Sequence, residues 1–357
     1  MSIVGRDLTF KAEKHIRYLL RFLEVWPHHL EQQDSLRLTV VYFAVSGLDM
    51  LNALDQIDAA RKKEIIDWVY ALQVEPSMND GDINLCGFQN APTLNIQDTD
   101  AQNAGPLLKK YRCANVAMNY SALAILVILG DDLSRVNKKA VLEGVKAMQQ
   151  DNGCFASCAV EGECDMRFVF CAVAVCYILN DWSVINIEKI VNYIRDSLSY
   201  EYGIGQGPGQ EAHGGSTYCA VASLALLDKV HECFSPKEIS MLTRWCLFRQ
   251  ECGFHGRPNK PDDTCYSFWV GASLKILGAF DLMNVEENRN FILSTQDLVL
   301  GGFSKWMDSG PDPLHSCLGL CSLSLMKVER LLEIHPALNV TQRAHNHLQK
   351  LHASGRS

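Results

Sequence analysis

The chain has 357 residues, 48% of them apolar and 21% charged, which is enough to bury a large core and excludes a disordered polyelectrolyte. Its net charge of −8 excludes the broad basic face on which nucleic-acid binding depends, so any anion it handles must be met by a local cluster of cations. The longest apolar runs, such as YSALAILVILG from Tyr120, fall short of the roughly 20 residues of an integral membrane segment.

In chain order, TVVYFAVSGLDML from Thr39 predicts an opening apolar helix. KKEIIDWVYALQ from Lys62 predicts an amphipathic one, and VAMNYSALAILVILG from Val116 a helix apolar all round. Between the last two, the stretch at about 74–112 is polar and too long for a plain turn, so a variable surface loop is expected there. Beyond it the chain repeats itself. Gly153, Gly203, Gly253 and Gly302 recur at steps of 50, 50 and 49 residues. Ten residues after each stands a polar residue, Glu163, His213, Asp263 or Asp312, followed by an apolar run. An amphipathic segment precedes each glycine; in FSPKEISMLTRWCLFRQ, Ser235, Pro236 and Glu238 predict a capping box with Pro at the first helical position.

Each unit is therefore an outer amphipathic helix, a glycine loop and an inner buried helix, with units near 114–180, 187–229, 236–279 and 285–331. Two weaker copies in the first half give six helix pairs. The expected fold is all-α, an α6–α6 barrel (α/α toroid) forming a single domain over 1–357, with an open solenoid as the competing arrangement. No strand pattern of any length competes. The short tail after Leu332 is expected to wrap the surface, and Asn339-Val340-Thr341 fits a glycosylation sequon by chance. The start MSIVGRDLTFKAEKH has no apolar signal core, and the 14 cysteines include many that stand singly in apolar segments. They read as reduced, mostly buried thiols of a cytoplasmic protein.

Equivalent positions of a closed toroid point to one end, so Glu163, His213, Asp263 and the stretch from Asp312 to His315 should ring one mouth. Asp263, Cys265 and His315 offer a carboxylate, a thiol and an imidazole, a zinc set that leaves a fourth position open. Singly, Asp263 or Asp262 reads better as the cap of a helix starting at Thr264 and Cys265 as a buried thiol, and His315 reads equally well as an ordinary surface or core histidine. The metal reading is favoured because all three fall at the loop-to-helix junctions of neighbouring units. His213, Gly214, Gly215, Arg257, Lys260 and Tyr266 collect donors suited to a phosphate-type anion, the alternative being solvated loop charges; Lys305, in the corresponding loop of the next unit, can add a cation. The aromatics Tyr42, Phe43, Phe168, Phe170, Tyr218, Phe268 and Trp269 each read as core packing. Together they permit a long apolar chain inside with its anionic head at the mouth.

From Arg37 to Asn339 the chain resembles the beta subunits of protein prenyltransferases, in their geranylgeranyltransferase type I branch, through strings such as DMRFVF, HGGSTYC, HGRPNKPDDTCYSFWVGA, GGFSKW and DPLH. The resemblance implies a heterodimer with a helical-repeat prenyltransferase alpha subunit, and zinc (Zn2+) on Asp263, Cys265 and His315. It implies an isoprenoid diphosphate held by His213 with Gly214 and Gly215, and by the segment carrying Arg257, Pro258, Asn259, Lys260, Tyr266, Ser267, Phe268 and Trp269. Lys305 stands where the farnesyl enzymes carry a magnesium-binding acid, implying a reaction with no magnesium (Mg2+) requirement in which Lys305 and Tyr266 assist the leaving group. Thr39, small where the farnesyl branch has Trp, implies geranylgeranyl diphosphate as substrate. Glu163, Arg167, Phe168 and Leu314 imply a site for a C-terminal CaaX peptide ending in Leu, with Asn115 in place of the family's His. The implied activity is thioether formation on the CaaX cysteine. A farnesyltransferase beta subunit is the neighbouring alternative, opposed by Thr39 and Lys305. A non-catalytic helical-repeat binding scaffold is the alternative of another class, and it predicts no stoichiometric zinc.

Overall fold

A computed structural model describes residues 7–24, 26, 34–79, 81–91, 112–160 and 162–355. Residues 92–111 of the expected variable loop lie outside them. The described helices used here are α1 (Ala12–Leu20), α2 (Arg37–Met50), α3 (Ala59–Ala71), α4 (Val116–Leu129), α5 (Lys138–Met148), α6 (Met166–Ile178) and α7 (Ile187–Asp196). They continue with α8 (Gly214–Leu226), α9 (Pro236–Leu247), α10 (Thr264–Ile276), α11 (Val285–Ser294), α12 (Pro313–Leu325) and α13 (Gln342–Ser354).

The even-numbered helices are the inner ones. In α4 every residue from Asn119 to Ile128 is buried, which only a helix surrounded on all sides can sustain. The odd-numbered helices α1 to α11 alternate with them in sequence and form the outer layer. In α7 the buried residues are Ile190, Tyr193 and Ile194, one stripe at helical spacing. The Ser235–Glu238 capping box of α9 is formed in full, with Pro236 in the first turn. Each inner helix packs against the next, from α2 through α4, α6, α8 and α10 to α12, and α12 packs back on α2. That last contact closes the ring and decides for the toroid over the open solenoid.

The repeated glycine has a steric cause. Gly153 has φ of +91°, and a Cβ there would overlap the Lys189 carbonyl at the start of the next outer helix. At Gly253 a Cβ would enter the Phe291 ring. Three antiparallel pairs of two residues each trim the loops: β1 (Gln73–Val74) with β2 (Gly87–Phe88), β3 (Phe303–Ser304) with β4 (Pro311–Asp312), and β5 (Ile334–His335) with β6 (Val340–Thr341). They are too short to leave a period-two signal in the sequence.

The tail corrects the expectation for it. Residues 334–341 enter the barrel at the C-terminal ends of the inner helices, with Ala337, Leu338 and Val340 buried, and only α13 beyond them lies on the surface as expected. Asn339 and Thr341 are buried with them, so the sequon is enclosed. The opposite end, where the inner helices begin, carries the polar residues.

Candidate active site

The N-caps of five inner helices stand at this end. Asn115 accepts from the Ala117 N–H, Asp165 from Arg167, His213 from Gly215 and Ser216, Asp263 from Cys265, and Asp312 from His315. Each satisfies orphan donors of a first helical turn. For the α6 unit this corrects the register: the capping residue is Asp165, two positions after Glu163. Glu163 is an exposed flanking acid, 3.3 Å from the Arg167 guanidinium.

Asp263 both caps α10 and faces the next unit. Its Oδ1 accepts the Cys265 N–H at 2.9 Å and lies 3.2 Å from His315 Nε2. The candidate ligand atoms of Asp263, Cys265 and His315 all lie within 4.8 Å of one another. Asp263 and Cys265 are buried, 5% and 8% exposed. On the other ring nitrogen, His315 Nδ1 is 2.6 Å from Asp312 Oδ2. A carboxylate there holds the Nδ1 proton and leaves Nε2 to face Asp263, the orientation a metal-binding imidazole needs. A carboxylate, a thiol and an imidazole oriented by a second carboxylate fit a zinc site with one position open.

Electrostatics follow from the same contacts. Burial works against the imidazolium, but hydrogen bonds to Asp263 and Asp312 outweigh it and raise His315 to about 9. Burial likewise opposes the Asp263 carboxylate, whose pKa nevertheless falls below its ordinary value through His315 and Cys265. Burial and the neighbouring Asp263 push the Cys265 thiol well up. A metal bound there would have to displace that proton.

Beside this triad is a cavity of about 320 Å³ lined by Gly256, Arg257, Lys260, Asp263, Tyr266, Lys305 and Trp306. It brings together the two predicted clusters. Lys305 Nζ is 3.8 Å from Asp263 Oδ2, and its loop is pinned because the buried Thr264 bonds the Ser304 and Lys305 carbonyls. His213 Nδ1 accepts two backbone N–H groups, so it carries no proton. Nε2 is then the N–H and donates to the Tyr266 phenol at 2.8 Å. Tyr266 keeps its own O–H for a ligand, and burial, followed by the nearby Cys265 and Asp263, keeps that phenol protonated. Burial, followed by the charge of Arg257, lowers the His213 pKa, in keeping with the neutral ring.

Other predicted residues have supporting places. Pro258 and Asn259 occupy the bend closed by the Lys260 N–H on the Arg257 carbonyl, with Asn259 at φ of +60°. Gly214 N–H bonds the Gly256 carbonyl, tying two units of the mouth together, and Gly215 supplies a capped N–H. Phe268 and Trp269 pack on Tyr218, with ring centroids 5.2 and 4.9 Å away. Ser267 does not join the cavity: its hydroxyl bonds Asn288 of outer helix α11 at 2.7 Å. Thr39, half-buried in the first turn of α2, points its hydroxyl at the Met118 sulfur. Arg167 is clamped by the buried Asp165 through Nε and Nη2 and lies over the Phe168 ring at 5.1 Å. Leu314 sits half-buried in the first turn of α12, next to His315.

Sequence reasoning missed Asp165, Glu211, which pairs with Arg257 at 2.8 Å, and the orienting contact of Asp312 with His315. An Asp just before an apolar run is a capping signal and could have found Asp165. Glu211 lies in a different loop from Arg257, and nothing local marks the pair.

Residues 10–340 match the family described as "Prenyltransferase alpha-alpha toroid domain". A geranylgeranyl transferase type-1 subunit beta from Dictyostelium discoideum is 40% identical over 340 residues, 93% of this chain and 95% of that one. One from Arabidopsis thaliana is 38% identical, across 93% of this chain and 89% of its own length. The chain belongs to the geranylgeranyl transferase type-1 beta-subunit family. It is accordingly a subunit of an enzyme, a protein prenyltransferase. A structure titled "Candida albicans protein geranylgeranyltransferase-I complexed with GGPP" shares the fold at a TM-score of 0.81 and 24% identity, covering 96% of this chain and 99% of that one. By contrast, the protein farnesyltransferase subunit beta of Pisum sativum matches over 167 residues, 46% of this chain.

Proposed function

We propose that this chain is the catalytic beta subunit of a zinc-dependent protein geranylgeranyltransferase type I, transferring the geranylgeranyl group of geranylgeranyl diphosphate to the cysteine of a C-terminal CaaX sequence. The observation that carries the reading is the convergence of Asp263, Cys265 and His315 beside the cavity of Arg257, Lys260, Tyr266 and Lys305. Zinc bound by those three ligands would supply a Lewis acid with an open position, keeping the substrate thiol, of ordinary pKa about 8.5, as thiolate at neutral pH.

In the reaction the substrate sulfur forms a bond to C1 of the isoprenoid, the C1–O bond breaks, diphosphate leaves with the bonding pair, and the thiol proton goes to solvent. The chain's own part is electrostatic. Arg257 and Lys260 grip the diphosphate; Tyr266 donates to it, oriented by the Nε2–H of His213; and Lys305 meets the charge that grows on the leaving oxygens, where the farnesyl branch uses magnesium. Such donors act most strongly where charge develops in the transition state. The 3.8 Å approach of Lys305 to Asp263 supports a bridging place between the metal ligands and the diphosphate.

Arg167, Glu163, Phe168, Leu314 and Asn115 form the peptide side of the mouth, and a prenyltransferase alpha subunit completes the working enzyme. The whole chain acts as one barrel domain. A reducing, cytoplasmic setting agrees with 14 free cysteines. It agrees also with the described helices, none of which is long and apolar enough to cross a membrane.

The test is a competition. The heterodimer, given equal farnesyl and geranylgeranyl diphosphate and a CaaX peptide ending in Leu, should yield mainly geranylgeranylated peptide. Mainly farnesylated product would contradict the reading.

A further inference from the structure

At the inner helices α4, α6, α8 and α10 the first N–H reaches a loop carbonyl of the next unit. Val116 bonds Ser157, Met166 bonds Gln206, Gly214 bonds Gly256 and Thr264 bonds Lys305, each at 2.9 Å. The bond satisfies an orphan donor of the helix start and ties neighbouring units together, so it serves the barrel alike at all four places. Of these four starts, Val116, Met166, Gly214 and Thr264, only Thr264 has a hydroxyl. That hydroxyl adds a second tie to the same loop: it donates to the Ser304 carbonyl at 2.7 Å and lies 3.2 Å from the Lys305 carbonyl.

The tie belongs to a buried network of hydroxyls. Thr264 Oγ1 is 3.0 Å from the hydroxyl of Thr295, just past α11, and Thr264, Thr295 and Ser304 are all buried. The Ser304 N–H and O–H bond the Thr295 and Trp306 carbonyls at 3.0 and 2.7 Å. Buried carbonyls outside regular structure need such donors, and few alternatives are within reach. Ser304 ends β3, whose pairing with β4 sets Asp312 opposite Phe303, and Lys305 is the next residue. One hairpin thus presents both Lys305 and the Asp312 that orients His315. A Lys ammonium on a flexible four-carbon stem is poorly placed by itself. Here its backbone is fixed, and Nζ lies over the Trp306 ring, 4.5 Å from the centroid.

We propose that Thr264 is a positioning residue for Lys305: its hydroxyl fixes the turn from which the ammonium reaches Asp263 and the leaving diphosphate. The inference rests on the reading of Lys305 as the cation that meets leaving-group charge. The backbone bond alone serves the barrel; the hydroxyl serves the placement of this one side chain.

The experiment is a double-mutant cycle in the complete heterodimer. It reads the single-turnover rate of transfer from geranylgeranyl diphosphate to one CaaX peptide, with the Kd of the diphosphate and the zinc content measured beside it. Thr264→Val should slow transfer about tenfold while Kd stays within about twofold and zinc is retained, because a misplaced charge-stabilising group is felt in the transition state more than in the bound substrate. Thr264→Ser keeps the hydroxyl and should stay within about twofold of the unmodified rate. Thr264→Ala removes the hydroxyl without crowding the carbonyls, and gives the same readout should Thr264→Val fail to fold. In a Lys305→Ala background either deletion should slow transfer by no more than about twofold further, since no ammonium is left to misplace. An unchanged rate on removing the hydroxyl, an equal fall in both backgrounds, loss of zinc, or a Thr264→Ser enzyme as slow as Thr264→Val would overturn the positioning role. If Lys305→Ala alone leaves the rate unchanged, the part proposed for Lys305 falls and this inference with it.

Discussion

At Asp263 two readings of one residue hold together. The carboxylate caps α10 through Oδ1 and, from that same position, lies 3.2 Å from His315 Nε2. The cap fixes the carboxylate, which is what a preorganised ligand needs. The sequence made this half legible: Asp263 and Cys265 two residues apart at a helix start, and His315 at the next such start. It did not reveal what aims His315, because Asp312 reads simply as a cap until its second oxygen is seen 2.6 Å from Nδ1. Asp312→Asn keeps a capping side chain but removes the charge behind the imidazole. It should weaken zinc binding by about 10- to 100-fold in chelator competition, with little loss of fold stability. Unchanged affinity would mean that Asp312 only caps.

Among the elements, the outer and inner helices were legible because burial writes a 3.6-residue stripe on one and a continuous apolar run on the other. The stretch 334–341 was not, because its partners lie far away in sequence: Tyr42 is 297 residues from Asn339. Its half-buried His335 gives it a pH signature. Burial, followed by the neighbouring His345, lowers the His335 pKa to about 4. The unfolded imidazole, near 6.5, takes up its proton before the folded one. The stability this group contributes is therefore complete above pH 6.5 and drains as pH falls toward 4, by up to about 1.4 kcal/mol per unit. Urea unfolding at stepped pH should show this slope, and His335→Asn should flatten it. An equal slope in both proteins would place the acid sensitivity elsewhere.

For the whole molecule, closure of the ring gathers caps from separate units at one mouth, and the tail seals the other end. The tail's docking depends on Asp49, 1% exposed, paired with Arg343, which also donates to the Ile128 carbonyl at 2.7 Å. Arg343→Ala would strand that carboxylate and should cost about 3 kcal/mol in denaturant unfolding; a loss within experimental error would show that the tail docks by apolar contact alone. A mouth that holds a zinc ion on Asp263, Cys265 and His315, as proposed, is catalytic rather than a binding scaffold. Metal analysis of the purified heterodimer, beside Cys265→Ala, tests it most directly. About one zinc per unmodified heterodimer and its loss in the variant are expected of a site with three protein ligands. Equal zinc content in both would contradict it.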